Sequence, residues 1–346
     1  MATIREVAKL AGVSETTVSL ALSGNKRITE ETRLKVLSAA NQLGYTPNSL
    51  ARGLRLSKSG IIGLIVSDVR NPFYSKIIMG IEEALGSDTY TLFLSNHLWD
   101  SSTEAKLIEK CIRNRVEGVL IAPAEGRFDH FSLLDKADIP YVFIDRIPKG
   151  WPEDLQVDAV LNDNFEGALL ATEHLISLGH RRIAHITGER EREYVSSFRD
   201  LIAGYRHAHL KHGLDIRDDY IEYGGLTIEK GREAMERLLG LETPPTAVFC
   251  VNDMAALGAI AAIKERGLVV GKDVAVVGVD DIEVGVLPDI RLTTISQPEY
   301  EMGSLAANIL LERIKQPVEE RRNTPRRKQI MGCRLIVRGS CGASST

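Results

Sequence analysis

The sequence predicts a small all-α helix-turn-helix head joined to a larger α/β core of two lobes built on parallel sheets. Three observations predict this. Short amphipathic segments with good cap residues fill the first 46 residues; from Ile61 onward apolar runs of strand length alternate with helical patterns; and charge divides sharply along the chain. Residues 1–60 hold nine Lys and Arg against four Glu, a net +5, while the remainder carries −9. An acidic protein with its basic charge at one end is expected to meet phosphate at that end.

In the head, Thr3 is a good N-cap for the apolar-periodic stretch Ile4, Val7, Ala8 and Leu10/Ala11, which ends at Gly12. Ser14 caps a second helix whose Val18 and Ala21/Leu22 face inward, leaving Glu15, Thr16, Thr17, Ser19 and Leu20 toward the outside. This is the helix-turn-helix plan, with the second helix placed for the major groove. Thr29, followed by Glu30 and Glu31 at the positive end of the helix dipole, opens a third helix that runs to about Leu43 and closes at Gly44. Two short helices cannot bury a core alone, and the third covers them.

Residues 47–60 read as a hinge. Asn48 to Arg55 is about two turns, and a helix that short is marginal in water. Gly53 weakens it further. The segment should order only where DNA and a second copy cover it.

The run Thr3-Ile4-Arg5-Glu6-Val7-Ala8-Lys9-Leu10-Ala11-Gly12-Val13-Ser14, with Thr17-Val18-Ser19, Thr32-Arg33 and Gly44-Tyr45-Thr46-Pro47-Asn48, closely resembles the head of the lac repressor (LacI/GalR) family of bacterial transcription regulators. The resemblance continues to Arg338. It implies that Thr16 and Leu20, with Glu15, point at base edges, and that Thr3, Thr17 and Ser19 hold phosphates. It implies as well that Leu54 wedges into the minor groove while Arg52 and Arg55 lie near phosphate. Family members usually carry Arg or His at position 20; Leu20 cannot hydrogen-bond a base and would pack on a thymine methyl instead. One head per half-site makes a homodimer on a pseudo-palindromic operator the expected assembly.

In the core, Ile61–Val66 is a continuous apolar run suited to a buried parallel strand. Further strands are predicted at Tyr90–Leu94, Gly118–Ile121, Tyr141–Ile144, Ile183–Thr187, Ala247–Cys250 and Ala275–Val279. Helices are predicted at Tyr74–Leu85 and at Thr103–Asn114, Asn164–Leu178, Phe198–His212, Ile228–Leu239, Asp253–Arg266 and Glu301–Lys315. Such alternation gives parallel sheets covered on both faces, and its length favours two lobes. The resemblance implies a periplasmic-binding-protein type of core over 61–340, crossed near Ala159–Asn162, Arg291–Thr293 and Arg321–Lys328. The first lobe would take about 61–160 and 293–322, the second about 161–292 and 323–340, with a disordered tail at 341–346.

In open α/β sheets ligands bind beyond the carboxyl ends of strands, so two facing lobes make a cleft. Phe73 and Tyr74 offer aromatic faces there, Asp145, Asn252 and Asp280 stand at strand ends, and Gln297 lies near a crossover; together they suit a small effector such as a sugar or related metabolite. Each matches a position that lines the effector pocket in the family. Asp253 reads as a helix cap rather than a ligand group. Two departures concern the cleft: Leu201 stands where sugar-binding members place Arg, leaving Arg199 as the nearest guanidinium, and Leu226 stands where an aromatic is common. Both point to a less polar effector, a different pose, or a member that responds weakly to small ligands.

No cofactor or metal site is expected. His207, His209 and His212 do not share one helix face, and Cys111, Cys250, Cys333 and Cys341 lack ligand spacing. The chain has no dinucleotide fingerprint, P-loop or nucleophile elbow, so an enzyme is not expected. No apolar run approaches membrane-spanning length and the first residues do not read as a signal peptide; a cytoplasmic protein, on the nucleoid when bound to DNA, is the expectation.

Overall fold

The computed structural model describes residues 2–22, 25, 27–45, 59–86, 90–124, 128–148, 150–152, 156–189 and 196–343. The chain divides into two compact units, Met1–Gly60 and Ile61–Thr346.

In the first unit, α1 (Ile4–Ala11) opens on a capping box: the Thr3 hydroxyl accepts from the Glu6 amide at 3.4 Å and the Glu6 carboxylate accepts from the Thr3 amide at 2.7 Å. Gly12 ends it at φ 68°, a left-handed conformation that glycine adopts without a Cβ penalty. The Ser14 hydroxyl then accepts from the Thr17 amide at the start of α2 (Glu15–Leu22), and Thr29 caps α3 (Glu30–Leu43). Val7, Val18 and Val36, one from each helix, are fully buried beside Ala8, Ala21 and Ala40. The hinge residues Arg52, Leu54 and Arg55 lie outside the described residues.

The second unit holds two six-stranded sheets. In the first lobe β1 (Ile61–Val66), β2 (Thr91–Asn96), β3 (Gly118–Ile121), β4 (Tyr141–Asp145) and β5 (Ala159–Asn162) are joined by β11 (Lys328–Met331) in the order β11-β5-β4-β3-β1-β2, every pair parallel. In the second, β6 (Ile183–Thr187), β7 (Ile221–Tyr223), β8 (Ala247–Cys250), β9 (Ala275–Val279), β10 (Thr293–Ser296) and β12 (Arg334–Ile336) run in the order β12-β10-β9-β8-β6-β7, with only β12 antiparallel. The helices are α4 (Phe73–Leu85), α5 (Ser101–Arg113), α6 (Ser132–Lys136), α7 (Asn164–Ser177), α8 (Ser196–Lys211), α9 (Ile228–Leu239), α10 (Asp253–Glu265), α11 (Glu299–Lys315) and α12 (Val318–Asn323). Every strand and helix predicted for the core is present, with ends shifted by at most two residues.

The lobe boundaries differ from the sequence reading in two places. Residues 293–296 belong to the second sheet, paired with β9, and residues 328–331 belong to the first, paired with β5, so the second and third crossings fall after Ser296 and after Met331. The reason is polar. Strand β10 is seated by the Thr294 hydroxyl donating to Asp253 at 2.6 Å and by the Thr293 amide donating to Ser340, contacts that no apolar run announces. The tail also departs from expectation, because Cys341 is buried, with its thiol 3.3 Å from His174 Nε2.

Helix α11 returns to the first lobe and packs on α4 so closely that a Cβ at Gly80 would stand 2.0 Å from the Tyr300 carbonyl oxygen. Backbone cannot yield as a side-chain tip can. Gly80→Ala is therefore expected to cost about 2–3 kcal/mol through overpacking, read as a lower denaturation midpoint with an unchanged slope.

Candidate functional site

The cleft between the two lobes holds a cavity of about 510 Å³, within the range usual for small-molecule sites. It lies beyond the carboxyl ends of the strands, where the chain leaves each sheet. Of the residues named from sequence, Phe73, Tyr74, Asp145, Leu201, Leu226, Asn252, Asp280 and Gln297 line it. Arg199 does not. It faces an adjoining hollow and pairs with Asp200, because on α8 the inward stripe runs through Phe198, Leu201 and Tyr205.

The first lobe supplies a rigid polar floor. Tyr74, at the start of α4, shares a 2.6 Å hydrogen bond with Ser67 at the end of β1 and receives one from Arg146 at 3.2 Å. Burial pushes the Tyr74 phenol above its ordinary range, so it stays neutral. Arg146 is buried; it pairs with Asp145, donates to the Pro123 carbonyl and sits 4.4 Å from the Trp99 ring centroid. Phe73 meets Tyr74 edge-on at 5.2 Å.

The second lobe supplies an apolar wall and one acid with an open oxygen. Leu201 is buried in that lobe's core and its side chain reaches the cavity. The Asn252 side chain caps α10 by accepting from the Ala255 amide at 2.8 Å and donates to the Leu226 carbonyl at 3.1 Å, so it positions Leu226. Asp253, expected as the cap, instead accepts from the Ile282 amide and the Thr294 hydroxyl; burial raises its carboxyl to about 7. Asp280 follows β9 with φ 113°, an uncommon conformation for a side-chain-bearing residue. One carboxylate oxygen of Asp280 has no partner, and burial, reinforced by the charges of Asp253 and Glu299, pushes its pKa well above the usual range. Gln297 bridges the crossings by accepting from Asn162 at 2.7 Å and donating to Asn164 at 3.4 Å.

The sequence reading singles out neither Arg146 nor the pair Trp99 and Phe198, whose rings meet across the cleft at 5.5 Å. The available signal was Trp99, a large aromatic side chain just beyond a strand end. The histidines of α8 take structural partners: His209 bonds the Tyr205 carbonyl and His212 pairs with Glu173. Among the described residues no group of three His, Cys, Asp or Glu side chains is arranged to hold a metal ion.

In the head, Glu15, Thr16, Thr17, Ser19 and Leu20 stand on α2 away from Val18 and Ala21, with Glu15 and Thr16 exposed and the other three half-buried. Arg5 Nε donates to Glu15 at 3.0 Å, so that carboxylate is partly neutralised. The Thr3 hydroxyl is engaged as the cap of α1. Among the described residues no helix is long and apolar enough to cross a membrane.

Comparison with known proteins agrees with both units. The chain is 38% identical over 315 residues to the HTH-type transcriptional repressor PurR of Haemophilus influenzae (strain PittEE), covering 91% of each chain. It is similar to a lac repressor dimer bound to operator and the anti-inducer ONPF, with TM-score 0.81, 26% identity and 99% of each chain covered. It is also similar to a transcriptional regulator CelR–cellobiose complex, with TM-score 0.73, 32% identity, and 98% of this chain and 100% of that one covered. The profile described as periplasmic binding proteins and sugar binding domain of the LacI family matches residues 59–338, and that of bacterial regulatory proteins, lacI family, matches residues 3–48. With a helix-turn-helix head, a two-lobed core and a profile match to each, the chain belongs to the lacI family of bacterial regulatory proteins.

Proposed function

We propose that this protein is a cytoplasmic, non-catalytic transcriptional repressor that binds a pseudo-palindromic operator as a homodimer under the control of a small molecule held between its lobes. The observation that carries this reading is one chain that presents an exposed recognition face on α2 and a preformed cavity between two sheets. Thr16 and Leu20, with Glu15, read base edges; Thr3, Thr17 and Ser19 meet phosphate. Arg52 and Arg55 track the backbone at the hinge, and Leu54 enters the minor groove. Phe73, Tyr74, Asp145, Leu201, Leu226, Asn252, Asp280 and Gln297 form the effector site. Occupancy stabilises one relative orientation of the lobes, and chain continuity at 58–61 passes that orientation to the hinges. The relatives support a non-enzyme because they are named as repressors and regulators.

A gel-shift titration against genomic operator fragments, with and without effector candidates, tests the reading. Leu54→Ala is expected to weaken specific binding by about tenfold or more while leaving core melting unchanged. Unchanged specific affinity would remove the wedge role.

A further inference from the structure

Resting on the effector reading above, we propose that Lys76 is a positioning residue: its ammonium clasps the second lobe to the first and so sets how far the cleft closes around Asp280.

Lys76 rides on a body that moves as one. It lies on α4, just after the cavity residue Tyr74 and one turn before Gly80. Gly80 and Gly303, the latter on α11, bring the two helix backbones into contact. A Cβ on Gly303 would stand 2.1 Å from the Ile77 carbonyl oxygen, and one on Gly80 would stand 2.0 Å from that of Tyr300. Backbones packed this closely transmit a displacement rather than absorb it. Glu299, at the head of α11, stands 3.7 Å from the Lys76 ammonium and steers it toward the second lobe.

The receiving side belongs to the other lobe and is equally fixed. Asp280 and Asp281 follow β9 with φ 113° and 53°, conformations that side-chain-bearing residues hold only under constraint. The constraints are hydrogen bonds within the second lobe. The Asp280 amide donates to the Ile295 carbonyl at 2.9 Å, the Asp281 amide to the Thr294 hydroxyl at 3.4 Å, and the Ile282 amide to Asp253 at 3.0 Å. Arg338 donates to the Asp281 carboxylate at 2.6 Å and to the Leu292 carbonyl at 2.8 Å. With its amide and carboxylate so engaged, Asp281 offers its carbonyl across the lobes, and Lys76 donates to it at 3.1 Å.

The place of this contact makes it a coupling point. Asp280, with its open oxygen, and Tyr74 line the cavity from opposite lobes, so the clasp joins the residue after one to the helical turn after the other. A cation donating to a carbonyl is stronger than a neutral hydrogen bond. The hydrogen bonds that Ser196 makes across the lobes to the Ile147 backbone are neutral and longer, at 3.3 Å each. The Lys76 side chain is 38% exposed, so water weakens the clasp to a bias that lobe movement can overcome, as a reversible element requires. Helix α4 follows β1, the strand that begins at Ile61, so an orientation set at Lys76 acts on the strand where the chain enters the core.

The test uses the full chain with Trp151→Phe, which leaves Trp99 as the sole tryptophan of the two. Trp99 meets Phe198 across the lobes and lies on neither α4 nor β9, so acrylamide quenching of its emission reads closure rather than local disorder at Lys76. At pH 8, where Glu299 is ionised, and with no ligand or DNA, Lys76→Met is expected to raise the quenching constant by about half or more as open orientations gain population. Its melting temperature should stay within about 3 °C of the parent's, as for other half-exposed side chains. Lys76→Arg, which keeps a donor cation of similar reach, should restore the parent's quenching. Parent-like quenching in a folded Lys76→Met protein overturns the proposal. So does quenching raised equally by Met and Arg, or a Met variant that melts far below the parent, which would make Lys76 a folding contact. In gel-shift titrations against the genomic operator fragments, Lys76→Met should change affinity by about threefold or more. Raised quenching with unchanged operator affinity would leave the clasp standing and count against the reading that lobe orientation controls the hinges.

Discussion

Arg313→Ala is expected to destabilise the first lobe by about 3–5 kcal/mol, the range for removing one partner from a buried, hydrogen-bonded ion pair. Arg313 on α11 is 1% exposed and Asp158, just before β5, is equally buried. Arg313 donates twice to Asp158, at 2.8 Å each, and once to the Pro325 carbonyl at 2.6 Å. Asp158 also accepts from the Arg327 amide and from Arg326. Burial opposes the Asp158 charge, yet Arg313 and the Arg327 amide hold its carboxyl below the ordinary range. The pair thus fastens α11, β5 and the chain entering β11 at one point. Its removal leaves the buried Asp158 carboxylate with only Arg326 and the Arg327 amide as partners and loosens the chain entering β11. Urea unfolding of the core should show the loss, and amide exchange should rise first at 328–331. A midpoint unchanged by the substitution would contradict the assignment. Arg313→Lys should recover only part of the loss, because an ammonium cannot match both carboxylate oxygens and the carbonyl with one planar fork.

The second large effect is a pH dependence of opposite sign. Glu299, at the start of α11, is 3% exposed, one of its oxygens has no partner, and Lys76 stands 3.7 Å away. Burial raises its pKa from 4.5 to about 7 despite Lys76. An acid whose folded pKa lies above its unfolded value favours the native state most when protonated. The contribution is complete below about pH 4.5 and is lost as pH rises through about 7. Glu299→Gln removes the titration, so at pH 8 it should be more stable than the parent by about 1–3 kcal/mol, with the gap closing toward pH 5. Asp253, raised to about 7, and Asp280, raised further, act in the same direction. The parent should therefore melt higher near pH 5.5 than at pH 8 until other carboxylates protonate. Melting curves at both values check it; a Glu299→Gln gap that widens on acidification would refute the sign.

Much of the fold was legible because strand and helix in an α/β protein are written in local apolar pattern. Ile61–Val66 and Ala275–Val279 could hardly be anything but buried strands. The head was legible for a different reason: Thr3, Gly12, Ser14, Thr29 and Gly44 are cap residues whose chemistry is local. The site was legible in part. Asp145 and Asp280 stand at strand ends whichever lobe they serve, so topology placed them at the cleft.

What escaped depended on contacts distant in sequence. Arg199 turned away because the helical phase of α8 is set by packing on the second sheet, and Asp200 was there to receive it. Asn252 took the cap expected of Asp253 while still lining the cavity, and Asp253 turned instead to Thr294 and Ile282, some 40 and 30 residues on. β10 and β11 joined the sheets opposite to those expected because polar contacts from Asp253, Ser340 and Asp158 seat them, and such contacts leave no periodic trace.

The sequence by itself determined the family, the three-helix head, the alternation of the core and the existence of a cleft, since each rests on patterns confined to a few turns or one strand. Only the tertiary structure decided the character of that cleft: that Arg146 is paired with Asp145, that Asp280 keeps an open oxygen, and that Trp99 meets Phe198 across the lobes. Charge neutralisation and ring contact are properties of distances, and distances between residues a hundred positions apart are set only when the whole chain has packed.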